Sequence, residues 1–146
     1  MSMSMFVVTR LGSEEYGIEI DKVQSIEKVT KITRVPKAPS FVKGVINLRG
    51  EIIPVISLRM LLKLCEVEFD DDTRIVIIKN NDIVIGIIVD NANEVVEIHD
   101  DNIDSIDVNS NLYKKESFIG KIGKIGNRIL MLFDIDKLTT QQEVKL

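Results

Sequence analysis

The sequence predicts an all-β protein built from two five-stranded units, with one or two short helices. Three observations predict this. Short apolar runs rich in valine and isoleucine recur at regular spacing with turn signals between them. The strand plan occurs twice, and helical spacing is confined to two short places.

The duplication appears when residues 6–29 are laid over 75–98 without a gap. Gly17 meets Gly86, Ile18 meets Ile87 and Asp21 meets Asp90, and of ten apolar residues in the first window only Leu11 meets a polar one, Asn80. A second register, offset by 77, lays Ile52–Leu58 over Ile129–Ile135, each run following a glycine, Gly50 or Gly126. The eight extra residues fit the polar, turn-rich stretch from His99 to Lys115.

Each half then reads as three strands, a polar connection or loop, and a glycine hairpin with its closing strand. In the first half the strands are expected at 5–11, 15–20, 24–33, 45–49 and 52–57. Arg49-Gly50 forms the hairpin turn, where glycine supplies a positive φ. Residues 57–64 have the spacing of one short helix with Ser57 as N-cap. The acidic segment Glu66–Asp72 separates the halves, and Asp70, Asp71 and Asp72 belong in solvent because burying three carboxylates is costly. In the second half strands are expected at 74–79, 83–89, 93–98, 118–124 and 128–134, with a last helical turn over 134–138. Five strands per half can close into a barrel that hides its edges. Within one domain spanning 1–146 the expected subdomains are 12–68 and 69–138, with strand 5–11 open to sharing between them.

At 146 residues and 45% apolar, the chain can bury roughly two thirds of its unfolded surface. A formal charge of −4, with basic residues scattered along the chain, argues against nucleic acid as the main partner. The single cysteine, Cys65, cannot form an internal disulfide or a metal cluster, and its apolar neighbours suggest a small buried hydrophobe. The start, Met1–Arg10, lacks the basic region and long apolar run of a signal peptide or membrane span, so the expectation is a soluble cytoplasmic protein without direct membrane insertion.

Catalytic, metal and cofactor constellations are scarce. The only histidine, His99, stands beside Asp100 and Asp101 with no second histidine for a metal site, and there is no nucleophile elbow. Asp100, Asn102, Asp104 and Asp107 imitate a calcium loop, but Ser105 holds the turn-glycine position and Asn111 that of the bidentate glutamate. Gly120, Gly123 and Gly126 precede a strand-like run where a phosphate cradle would need a helix. The expectation is therefore no enzyme, no cofactor and no metal. A different class stays open, a small β-barrel module that binds nucleic acid or an extended peptide, although few aromatics are available for stacking.

Gly44-Val45-Ile46-Asn47-Leu48-Arg49-Gly50, extended by Glu51–Leu58, resembles the signature of the CheW family of bacterial chemotaxis adaptors. Ser13–Ile26 resembles that family's second strand and the segment after it, Val35-Pro36 with Ala38-Pro39 its loop, and Leu132–Leu138 its closing segment. The resemblance implies two five-stranded, SH3-like β-barrel subdomains with a hydrophobic groove between them, and no chemistry. It implies binding to the cytoplasmic tip of chemoreceptors and to the regulatory domain of a CheA-type histidine kinase, by a chain that is a monomer when isolated and is recruited to receptor arrays at the membrane. Carried over by position, the receptor-binding residues would be Val7, Ile20, Val23, Ile26, Arg49 and Ala92, the last smaller than the usual aliphatic. Ile32 and Val35, as exposed apolar residues near the end of the first barrel, would meet the kinase. Arg49 has two readings from chemistry alone: a weak local pair with Glu51, or a forked bond to a partner.

Overall fold

The computed structural model describes residues 2–105 and 118–140. Its strands are β1 (Met3–Leu11), β2 (Glu14–Glu19), β3 (Val23–Lys28), β4 (Val42–Leu48), β5 (Glu51–Ser57), β6 (Arg74–Asn80), β7 (Ile83–Val89), β8 (Asn91–His99), β9 (Ile103–Ser105), β10 (Ile119–Ile125) and β11 (Arg128–Phe133). Helix α1 (Leu58–Leu61) follows β5, and α2 (Ile135–Thr140) follows β11. Ser57 caps α1 as expected, its Oγ accepting the Met60 N–H at 3.3 Å. The expected 24–33 strand stops at Lys28, and β9 is a strand that its polar residues Asp104 and Ser105 concealed.

The sheets do not follow the boundaries 12–68 and 69–138. One sheet has the order β3-β6-β7-β5-β4 and occupies a continuous stretch of chain; the other, β8-β1-β2-β11-β10-β9, joins the N-terminal hairpin to the last strands. Each half has given its first hairpin to the other half's closing strands. Two parallel pairings make the exchange, Leu132 beside Gly17 and Val55 beside Gly86. The cause lies in the connections: only Ile20–Lys22 separates β2 from β3, and only Asp90 separates β7 from β8. Such short links carry the chain across to the opposite sheet and leave no room for a return along the same one.

Apolar residues sort into three clusters according to strand alternation. Ile46, Ile53, Val55, Ile75, Ile77 and Ile88 fill the five-stranded sheet's barrel, and Phe6, Val8, Ile98, Leu130 and Leu132 fill the other. The opposite faces, carrying Val7, Ile18, Val76, Ile78 and Ile87, meet in a third cluster between the sheets, to which α1 and α2 contribute Leu58, Ile135 and Leu138. Thr33 closes the five-stranded barrel by a two-way backbone bridge to Val45, both bonds 2.8 Å. Gly44 permits that approach, since a Cβ there would lie 2.1 Å from the Thr33 carbonyl oxygen.

One expectation needs correction here. Cys65 is exposed, because α1 ends at Leu61 and Lys63, at a φ of 62°, turns the chain out into the acidic connector. His99 is half-buried at the end of β8, where its Nδ1 accepts the Asp101 N–H at 3.2 Å and starts a turn. Asp107 and Asn111 of the calcium-like pattern, and much of the 99–115 loop, lie outside the described residues.

Candidate partner-binding site

β3 presents two faces. The residues opposite Ser25 and Glu27 are Ile77 and Ile75, which point into the barrel, whereas Val23 and Ile26 stand opposite Ile78 and Val76, which belong to the seam between the sheets. Ile20 and Val23 are half-buried against that seam, and Ile26, 39% exposed, lies at its rim. Val7 and Ala92 belong to the seam but are buried, at 2% and 5% exposure. They support the surface from beneath and offer a partner almost no area of their own.

Arg49 occupies the tip of the β4–β5 hairpin. Its φ of 52° and the 88° of Gly50 form a turn with both central residues left-handed, the twist that a two-residue hairpin requires. Asn47 Oδ1 accepts the Gly50 N–H at 3.0 Å and holds the turn. The guanidinium, 71% exposed, pairs with Glu27 of β3 and not with Glu51, Nη2 to Oε2 being 3.6 Å. β3 and β4 are the two edges of one sheet, so this ion pair spans the gap that Thr33 also bridges.

The structure adds a residue to the seam face. Val95 of β8 stands opposite Val7 and is 48% exposed; at the 69-residue offset it corresponds to Ile26, a signal already present in the duplication. Met3 and Met5 are exposed on β1 nearby in sequence. Ile32 and Val35 are half-buried instead of exposed, because Ile32 packs against the core of the five-stranded barrel. Among the described residues the most exposed large apolar side chains are Ile52 and Ile129, equivalent positions at the starts of the two closing strands.

Two charge networks lie elsewhere in the fold, around Asp90 and around Arg128. Arg59 of α1 donates through Nε to Asp90 at 2.9 Å and through Nη2 to the other carboxylate oxygen, and the Gly12 N–H adds a bond at 2.8 Å. The Arg59 hydrogen bonds hold the Asp90 carboxyl below its ordinary range despite desolvation. Arg128 forks onto both Glu15 and Glu94, with N···O distances of 2.8 to 3.0 Å, and lowers both carboxyl pKa values chiefly through those bonds. Among the described residues no group of three or more His, Cys, Asp or Glu side chains is arranged to hold a metal ion, and no helix is long and apolar enough to cross a membrane. Phe6, Tyr16, Phe118 and Phe133 are buried, so these aromatics form no stacking platform for bases.

Residues 5–143 match the family model of the CheW-like domain. The chain belongs to the CheW family. The chemotaxis protein CheW of Bacillus subtilis (strain 168) is 42% identical over 142 residues, which cover 94% of this chain and 90% of that protein. The CheW of Klebsiella aerogenes is 37% identical over 141 residues, 97% of this chain and 84% of that one. Among solved structures, the scaffolding protein TtCheW from Thermoanaerobacter tengcongensis superposes with a TM-score of 0.82 at 30% identity, covering 92% of this chain and 86% of its own. The all-β, two-sheet architecture is thus that of a CheW scaffold.

Proposed function

We propose that this chain is a non-catalytic adaptor of bacterial chemotaxis, coupling chemoreceptors to a CheA-type histidine kinase from the cytoplasm at receptor arrays. The observation that carries the reading is membership of the CheW family over nearly the whole chain, joined to an apolar seam face on which Ile20, Val23 and Ile26 are partly exposed. The receptor tip, an amphipathic helical hairpin, would lie against Ile20, Val23 and Ile26, with Val7 and Ala92 as backing and Arg49 at the side. Anchors at helical spacing suit such a surface. The kinase's regulatory domain would take the end of the five-stranded barrel around Ile32 and Val35. Micromolar binding there needs only about −8 kcal/mol net.

Reconstitution with receptor fragments and kinase tests the proposal. Receptor-controlled autophosphorylation should depend on this chain, and a kinase output unchanged by its addition overturns the reading.

A further inference from the structure

Two polar joints cross between the sheets, and the internal repeat relates them. In the first, Asp90 links β7 to β8 and accepts from Arg59 of α1 and from the backbone of Gly12 in the β1–β2 turn. In the second, Asn80 at the β6–β7 turn accepts from Lys22 Nζ, in the link between β2 and β3, at 3.0 Å. The same amide donates to Asp136 Oδ1 and Thr139 Oγ1 of α2, both at 2.9 Å. Each joint therefore uses the same three parts: a hairpin turn, a link between sheets, and the helix after a closing strand. Arg59 and Asp136 are equivalent at the 77-residue offset, so the charge on the helix is reversed. In the first joint the link supplies the acidic Asp90 and the helix a base; in the second the helix supplies the acid and the link supplies Lys22, the residue after Asp21, which is the equivalent of Asp90.

The connection between the charges also differs. Arg59 and Asp90 meet directly through two parallel charge-assisted bonds, while Lys22 and Asp136 are joined in these bonds through the neutral side chain of Asn80. Direct forked pairs between charged groups are the stronger and more directional kind. We infer that the seam has a stiff end, Asp90 with Arg59 and Gly12, and a yielding end, Lys22 with Asn80 and α2, and that Asn80 is a positioning residue for the partner groove. Ile20 lies two residues before Lys22 and Val23 directly after it, so an amphipathic helix pressing on them loads the bonds of the buried Asn80 amide. The assignment of the groove to such a helix rests on the proposed function, whereas the difference between the two ends belongs to the free chain.

Residue-resolved native-state hydrogen exchange on the isolated protein tests this without any partner. At the yielding end the reporters are the Val23 N–H, which donates to Ile20, and the Leu138 N–H, which donates to Asp134; at the stiff end it is the Asp90 N–H, which donates to Arg10. In the unmodified chain Val23 and Leu138 should exchange at least about tenfold faster than Asp90, and Lys22→Met or Asn80→Ser should accelerate that pair further while leaving Asp90 unchanged. Lys22→Met keeps an apolar stem and secures a folded comparison if Asn80→Ser unfolds. Equal or reversed protection in the unmodified chain, or variants that accelerate all three amides together, overturns the inference. A failed reconstitution with faster Val23 and Leu138 exchange would refute the adaptor reading and leave the joint standing.

Discussion

Arg49, at the tip of the β4–β5 hairpin, reaches across the open edge of its sheet to Glu27 of β3, 3.6 Å from nitrogen to oxygen. A left-handed backbone at this position would suit asparagine better, and for an arginine it costs roughly 1 kcal/mol or more. The exposed ion pair returns at most about 1 kcal/mol. Arg49→Asn should therefore leave stability within about 1 kcal/mol of the original, a shift of a few degrees in a thermal melt. Under the proposed function the same variant should lose receptor control of kinase autophosphorylation, which separates a contact role from a bracing one.

Neither half of the chain contains a complete sheet. Fragments 1–68 and 69–146 should each lack cooperative unfolding when expressed alone, because β3, β4 and β5 need β6 and β7, and β8 to β11 need β1 and β2. Mixing them should restore a sheet-rich circular dichroism spectrum and a single melting transition. A first fragment that folds by itself would contradict the exchanged pairing.

Acid sensitivity should concentrate at Arg128. Glu15 and Glu94 both have folded pKa values below their ordinary 4.5, chiefly because Arg128 donates to them. A lowered folded pKa gives stability that is complete above the unfolded value and is lost as pH falls through the folded one. Urea midpoints should thus fall as the pH is lowered through the ordinary carboxyl value of 4.5 and on through the lower folded values. Arg128→Gln should flatten that slope and lower the midpoint at neutral pH.

Gly44→Ala should damage the five-stranded barrel. At a φ of 146° the added Cβ would lie 2.1 Å from the Thr33 carbonyl oxygen, so the bridge that closes the barrel must part. A loss of about 2 kcal/mol or more is expected in denaturant titration, together with loss of hydrogen-exchange protection at Val45.

Cys65 is exposed, so it should react with a thiol reagent in native buffer at a rate close to that in denaturant. Protection by tenfold or more would restore the buried position that its leucine neighbours suggest.

Ten of the eleven strands among the described residues were legible because valine and isoleucine alternate with polar residues and glycines mark the turns. Their partnership was not. Phe6 and Val8 correspond to Ile75 and Ile77, so either hairpin satisfies either barrel by side-chain chemistry, and the short links decide the matter. All six proposed receptor residues were carried over by position alike; that Ile26 and Arg49 are exposed while Val7 and Ala92 are buried depends on which sheets face each other. The Arg49–Glu27 pair was hidden for a related reason, since it requires knowing that β3 and β4 bound one sheet.

Because β3 to β7 form an unbroken stretch, that barrel gains its last strand once Val89 has left the ribosome, while the N-terminal hairpin still lacks β11. Until translation is nearly finished, Phe6, Val8 and Ile18 must wait uncovered or be shielded by a chaperone. Nascent chains stalled before Phe133 should accordingly be the ones most prone to stick to one another.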